Sequence, residues 1–163
     1  RSGEATVRKN KSGIVVKGLH DLAVRFSRCC NPVPGDEIVG FVTRGRGVSI
    51  HRTDCINVIN LPQEERARLI DAEWQVAETA GSTEQYSTEI QIFANNRIGM
   101  FADISKVFTE KQIDITSMNV RTSKQGKATI IMTFDIHGTE ELNRITDKIR
   151  QIEGVLDIQR TTG

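Results

Sequence analysis

Residues 128–152, ATIIMTFDIHGTEELNRITDKIRQI, change period partway along. Ala128, Ile130, Met132, Phe134 and Ile136 recur every second position, with Thr129, Thr133 and Asp135 between them, the pattern of a strand burying one face. From Thr139 the apolar residues Leu142, Ile145, Ile149 and Ile152 are spaced by three and four, which makes one stripe on a helix. Thr139 is the expected N-cap, Glu140 and Glu141 suit the positive end of the helix dipole, and Gly154 stands where a C-terminal cap belongs.

The neighbouring segments repeat this alternation of periods. Thr88, Ile90 and Ile92 alternate with Glu89, Gln91 and Phe93, predicting a strand. After the loop Asn95-Asn96-Arg97-Ile98-Gly99, residues Phe101, Ile104, Val107 and Phe108 fall on one helical face. Ile113 to Thr122 reads as a strand and SKQG turns it into the next. Val155 to Arg160 supplies a fourth strand. The order βαββαβ, with two right-handed crossovers, puts both helices on one side of a four-stranded antiparallel sheet, a ferredoxin-like arrangement. The other sheet face is left to be covered or wetted.

The first half reads as a small β-rich domain, so the fold class is α+β in two domains. Residues 1–13 are polar and glycine-punctuated, a linker. Within 14–76, Ile14–Val16, the LAVRF run, Glu37–Thr43 and Val48–His51 are strand candidates. Asn31 to Asp36 is a turn, because Pro32 and Pro34 each remove a donor. TRGRG, residues 43–47, closes a β-hairpin with Gly45 and Gly47 supplying permissive dihedrals. Pro62–Ile70 is a predicted helix and Asp71–Val76 a strand. Residues 77–86 form a second linker, and 87–163 the βαββαβ domain.

With 37% hydrophobic and 26% charged residues and a mean hydropathy of −0.33, the chain falls among globular proteins rather than membrane or disordered ones. No apolar run approaches the roughly 20 residues of a membrane span. Three cysteines do not make a secreted disulfide framework, so a cytoplasmic location is expected. The chain opens on Arg1, which reads as a piece of a longer polypeptide. Its net charge of +1 is unevenly spread. Arg1 to Arg52 holds ten Lys/Arg against four Asp/Glu, a surplus of six, and the remainder carries a deficit of five. A polyanionic partner touching the first half, or a solvated basic face, would explain that asymmetry.

Chemistry concentrates between Cys29 and Cys55. Cys29, Cys30, His51 and Cys55 are four donors, the number a closed zinc site takes. His51-x-x-x-Cys55 has suitable spacing, whereas adjacent cysteines on an extended chain point to opposite sides. Small packed cysteines are the competing reading. A thiol enzyme would pair a cysteine with His51, but no orienting partner is identifiable. Arg44 and Arg46 on the hairpin turn, with His51 and Arg52 nearby, suit phosphate oxygens and base edges. In the second half, Asn95, Asn96, Arg97, Ile98, Gly99 and Met100 join a strand to a helix N-terminus. Backbone donors at such a junction can hold a carboxylate or phosphate.

RCCNPVPGDEIVGFVTRGRGVSIHRTDC (28–55) resembles the conserved-cysteine domain, also called zinc-finger-like or ribosome inter-subunit, of long Rel/Spo-type (p)ppGpp synthetase/hydrolases. NNRIGMFADISKVFTEKQIDITSMNVRT (95–122) resembles the ACT domain that ends those stringent-response proteins, with Asn96 where a D-R-x-G loop has aspartate. The resemblance spans roughly Val15 to Thr161. It implies a regulatory fragment without catalytic residues, from a parent GTP pyrophosphokinase with (p)ppGpp hydrolase activity. The implied partners are large-subunit ribosomal RNA, uncharged tRNA and the parent's own catalytic domains. Self-association through the ACT domain and binding of a branched-chain amino acid are further implied. No cofactor is certain, and zinc is a candidate.

Overall fold

The computed structural model describes residues 14–16, 23–45, 47–75 and 84–162. The chain divides into two compact units, residues 1–82 with 162–163, and 83–161. The expected 1–13 linker, Leu22, Arg46 and residues 76–83 lie outside the described residues.

The unit containing residues 83–161 follows the period-two reading. Strands β6 (Tyr86–Asn95) and β8 (Lys127–Ile136) pair antiparallel along their full length, from Tyr86↔Ile136 to Asn95↔Lys127. Tyr86, assigned by sequence to the linker, is thus the first residue of the sheet. With β7 (Ile115–Thr122) and β9 (Val155–Arg160) the sheet order is β7-β8-β6-β9. Thr88, Ile90, Ile92 and Ala94 of β6 and all five alternate apolar residues of β8 are buried. Helices α3 (Met100–Glu110) and α4 (Thr139–Arg150) bury Met100, Ile104, Val107 and Phe108, and Leu142, Ile145 and Ile149. Phe108 meets Phe134 edge-on, centroids 4.9 Å apart, the arrangement the ring quadrupoles favour.

Glu89, Gln91, Thr129, Thr133 and Asp135 lie on the opposite sheet face, with Phe93 and Ile131 the apolar exceptions on these two strands. A face so composed is suited to contact with water.

Two capping expectations are corrected. Thr139 is the first helical residue, and Gly138 is the N-cap. The Glu141 carboxylate accepts the His137 N–H at 3.3 Å, reaching the residue before the N-cap and tying the incoming chain to the first turn. Gly154 comes after the helix end at Gln151 and has φ 95°. A Cβ there would lie 2.8 Å from Met100 Cε and 3.1 Å from the Asn95 carbonyl, so glycine permits close approach rather than a cap.

The first unit contains β1 (Ile14–Val16), β2 (Val24–Phe26), β3 (Ile38–Val42), β4 (Val48–Arg52), helical turns α1 (Ile56–Ile59) and α2 (Gln63–Arg66), and β5 (Leu69–Trp74). The sheet order is β1-β5-β3-β4-β2, and only β2 and β4 pair in parallel. The helix expected over 62–70 is one turn long. Leu69 and Ile70 instead pair with Phe41 and Gly40 as sheet, and α1 was not anticipated. Ile14, Val16, Val48, Ile50 and Ala72 form one buried cluster, joined by Phe26 stacked on Trp74 at 5.6 Å. The β3–β4 hairpin forms as expected, with the Thr43 N–H donating to the Gly47 carbonyl at 3.0 Å. Gly47 has φ 122°, and a Cβ there would fall 2.2 Å from the Ala23 carbonyl oxygen, whereas Gly45 has open space around it. Only Gly47 is required. Among the described residues, no helix is long and apolar enough to cross a membrane.

Thr88 is fully buried and its hydroxyl has no hydrogen-bond partner. An unsatisfied buried hydroxyl costs stability that an isosteric methyl does not. Thr88→Val is expected to stabilise the 83–161 unit by about 1 kcal/mol, raising the urea midpoint at unchanged slope. A lowered midpoint would show that the hydroxyl is useful to the fold.

Candidate metal centre

Strand β4 carries two patterns at once. Val48 and Ile50 face the aliphatic cluster, so Ser49 and His51 face the other way. On that second side Cys30, Cys55 and Val58 form a separate buried cluster with Cys29, Val39 and Leu69 packed against it. Val39 is the cross-strand partner of His51.

The adjacent cysteines do not lie on extended chain. They sit in a turn closed by the Asn31 N–H donating to the Ser27 carbonyl at 3.0 Å, with Asn31 at φ 46°. The objection that neighbouring thiols must diverge therefore does not apply. Cys55 is brought in by a second turn, its N–H donating to the Arg52 carbonyl at 3.0 Å, and its own carbonyl accepts from Val58 and Ile59 as α1 begins.

The donor atoms of Cys29, Cys30, His51 and Cys55 all lie within 4.8 Å of one another. Cys29 Sγ is 3.5 Å from Cys55 Sγ, 4.0 Å from Cys30 Sγ and 3.4 Å from His51 Nδ1, while Cys30 Sγ is 3.9 Å from that nitrogen. Sulfurs at about 2.3 Å from a tetrahedral zinc stand about 3.8 Å apart, so the cluster has the size of a zinc coordination tetrahedron. His51 Nε2 is 3.1 Å from Ser49 Oγ, which orients Nδ1 toward the thiols. The Arg52 N–H donates to Cys30 Sγ at 3.3 Å.

Burial pushes the Cys30 and Cys55 thiols up. At Cys29 burial acts the same way, but hydrogen bonds from Ser27, Asn57 and Cys55 outweigh it and leave the thiol below its ordinary value. Burial, reinforced by the charge of Arg25, lowers His51 and favours the neutral imidazole that a metal needs. Three sulfurs and one imidazole fit a closed structural zinc site: these four residues would hold the ion, and its chemistry there is cross-linking. The sequence reading missed Ser49 as the orienting partner. Its signal was present, since Ser49 lies two residues before His51 on the same strand face.

The residues expected to touch RNA do not form one set. Arg44 has a side chain 82% exposed and reaches Glu65 at 3.3 Å. Arg46 lies outside the described residues. His51 belongs to the thiol cluster. Arg52 is a correction: it is 6% exposed, and its guanidinium donates to the Cys30 carbonyl and pairs with Asp54. It braces the turn that presents Cys30 and is not a surface contact. Arg25 and Arg28, which the sequence reading passed over, are exposed.

The 95–100 loop is tied to neighbouring segments of its own unit. Arg97 donates to the Glu153 and Ile98 carbonyls and pairs with Asp103 at 2.7 Å. Asn95 accepts from Lys127 at 2.6 Å, and the Asn96 N–H donates to the Gly126 carbonyl. Ile98 is 99% exposed and Met100 fully buried, so within one chain they do not wall a common pocket for an apolar side chain. Gly99 is the N-cap of α3 at φ 83°.

Comparison with known proteins accords with this architecture. Residues 14–75 match the family model of the RelA/SpoT RIS domain and residues 82–160 that of the ACT domain. The chain therefore belongs to the RelA/SpoT family, of which it carries a RIS domain followed by an ACT domain. It is 41% identical over 150 residues to a GTP pyrophosphokinase of Streptomyces coelicolor, covering 92% of this chain and 17% of that protein. It is 37% identical over 156 residues to a GTP pyrophosphokinase of Escherichia coli, covering 95% and 20%. The chain thus spans about a fifth of the curated relatives it matches. The crystal structure of the ACT domain from the GTP pyrophosphokinase of Chlorobium tepidum aligns with a TM-score of 0.43 and 23% identity, covering 47% of this chain and 99% of that one.

The purified chain is expected to retain one zinc per molecule, and Cys55→Ser to lose it. Stripping zinc with a chelator should lower the melting temperature of the first unit by at least ~10 °C, while the Ile14–Ile50–Ala72 cluster keeps the sheet signal in circular dichroism. An unchanged melting curve after chelation would show that the thiols are packing groups alone.

Proposed function

We propose that this chain is the regulatory end of a stringent-response GTP pyrophosphokinase. In this reading the RIS unit contacts ribosomal RNA and uncharged tRNA through its basic hairpin side, and the contact is relayed to catalytic domains elsewhere in the parent polypeptide. The supporting observation is the placement of Arg25 and Arg44. Arg44 stands out from a hairpin turn whose close approach to Ala23 requires Gly47, while Arg25 lines a cavity of about 350 Å³ beside that hairpin, with Thr43, Gly45 and Val48. The Arg44–Glu65 pair is exposed, so exchanging it for a phosphate costs little, and Glu65 keeps Arg68 at 3.0 Å.

Metal binding by Cys29, Cys30, His51 and Cys55 would serve this role indirectly. It ties the turn after β2 to the end of β4, the two segments whose neighbours carry Arg25, Arg28 and the hairpin.

The test is binding to ribosomes across a salt series. Each duplex phosphate neutralised contributes roughly 0.9 to the slope of log K against log salt. Arg25→Ala with Arg44→Ala is expected to reduce that slope by about 2 at unchanged melting temperature, and adding Arg46→Ala to reduce it further. A double variant that binds with the wild-type slope would contradict the proposal. Arg52→Ala should instead lower the melting temperature, because its partners are inside the domain.

A further inference from the structure

The thiol cluster has a second chemistry available to it. Its three sulfurs are not equivalent in access or in spacing. Cys29 is partly exposed, whereas Cys30 and Cys55 are 1% and 0% exposed. Cys29 and Cys55, from different segments, bring their sulfurs to 3.5 Å, against 4.0 Å between Cys29 and Cys30. Cys30 is a poor partner for Cys29. Adjacent Cα atoms stand about 3.8 Å apart, short of the roughly 4.4–6.8 Å that disulfides span, and Cys30 Sγ is held by the Arg52 N–H.

We propose that Cys29 and Cys55 form a reversible disulfide on exposure to a hydroperoxide, and that this oxidised state and the metal-bound state exclude each other. The second clause rests on the zinc reading above; the first does not.

The chemistry balances in two steps. The Cys29 thiolate attacks the terminal oxygen of the hydroperoxide and the O–O bond breaks. Cys29 becomes a sulfenic acid, and the remaining alkoxide, or hydroxide from hydrogen peroxide, takes up a proton and leaves as alcohol or water. The Cys55 sulfur then attacks the sulfenic sulfur. The S–S bond forms as the S–OH bond breaks, and the hydroxide leaves as water with the Cys55 proton. The two thiols lose two electrons, which the peroxide bond accepts. Access explains the order: the partly exposed Cys29 meets the oxidant, and the buried Cys55 resolves it. Once the bond forms, only Cys30 and His51 remain as donors, two short of a closed site. Zinc on the thiolates would slow oxidation, and oxidation would release zinc.

The experiment treats the whole chain with hydrogen peroxide, zinc-loaded and zinc-free, then blocks free thiols and maps non-reduced peptides by mass spectrometry. The expected product is one intramolecular link joining the Cys29 and Cys55 peptides, two hydrogens lighter than their sum and reversed by dithiothreitol. The link should persist in Cys30→Ser and be absent from Cys29→Ser. In zinc-loaded protein it should form more slowly, with one zinc passing to a colorimetric chelator per link. If that variant misfolds, the wild-type peptide map alone decides the pairing. A link to Cys30, links only between chains, or sulfinic acid at Cys29 with no link would overturn the disulfide. If no zinc is held in any state while the link still forms, the metal reading fails and the disulfide stands. If zinc is held but neither slows the link nor leaves, the exclusion is overturned.

Discussion

A strand with one apolar face must present its intervening residues to the other side, and β4 uses both sides. Burying Val48 and Ile50 in the aliphatic cluster obliges Ser49 and His51 to face the opposite way. The imidazole is thereby fixed on a particular side of the sheet, at a particular height, beside Val39. The three thiols approach it from turns at either end of the same strand system. The alternation that builds the core therefore also decides where the cluster stands, and a one-residue slip of β4 would destroy both.

This coupling accounts for residues that look functional but are structural. Arg52 ends β4 on the parity opposite to His51, yet its guanidinium reaches the Cys30 carbonyl and Asp54. It holds the thiol-bearing turn against the strand that carries the imidazole. Gly47 has a comparable task at the other end, letting the hairpin close against the Ala23 carbonyl. These two constraints flank β4 at its start and at its end.

Legibility in the sequence followed periodicity. The βαββαβ unit could be read almost residue by residue because β6 and β8 alternate over ten residues each and α4 carries a clean stripe. The first unit was less legible. Its strands run from three to six residues, and a helix was read through Leu69 and Ile70 because Pro62 and the acids after it are good first-turn chemistry. Pairing of those two residues with β3 outweighed that local preference. The thiol cluster was half legible: four donors were visible, but their convergence depends on a turn at Asn31 with positive φ, which no spacing rule reports. Arg52 was misread because an arginine beside a basic turn gives no sign of whether its head reaches water or a carbonyl. The N-cap of α4 falls one residue earlier than expected, at Gly138, because apolar periodicity places a helix end only to within a residue or two.

The central claim is that four side chains, positioned by β4 and two turns, form one metal centre. Zinc K-edge absorption spectroscopy of the purified chain addresses it directly. The account predicts a four-ligand shell of three sulfurs at about 2.3 Å and one imidazole nitrogen at about 2.0–2.1 Å. A shell of oxygen and nitrogen alone, or zinc bound without a sulfur contribution, would contradict it.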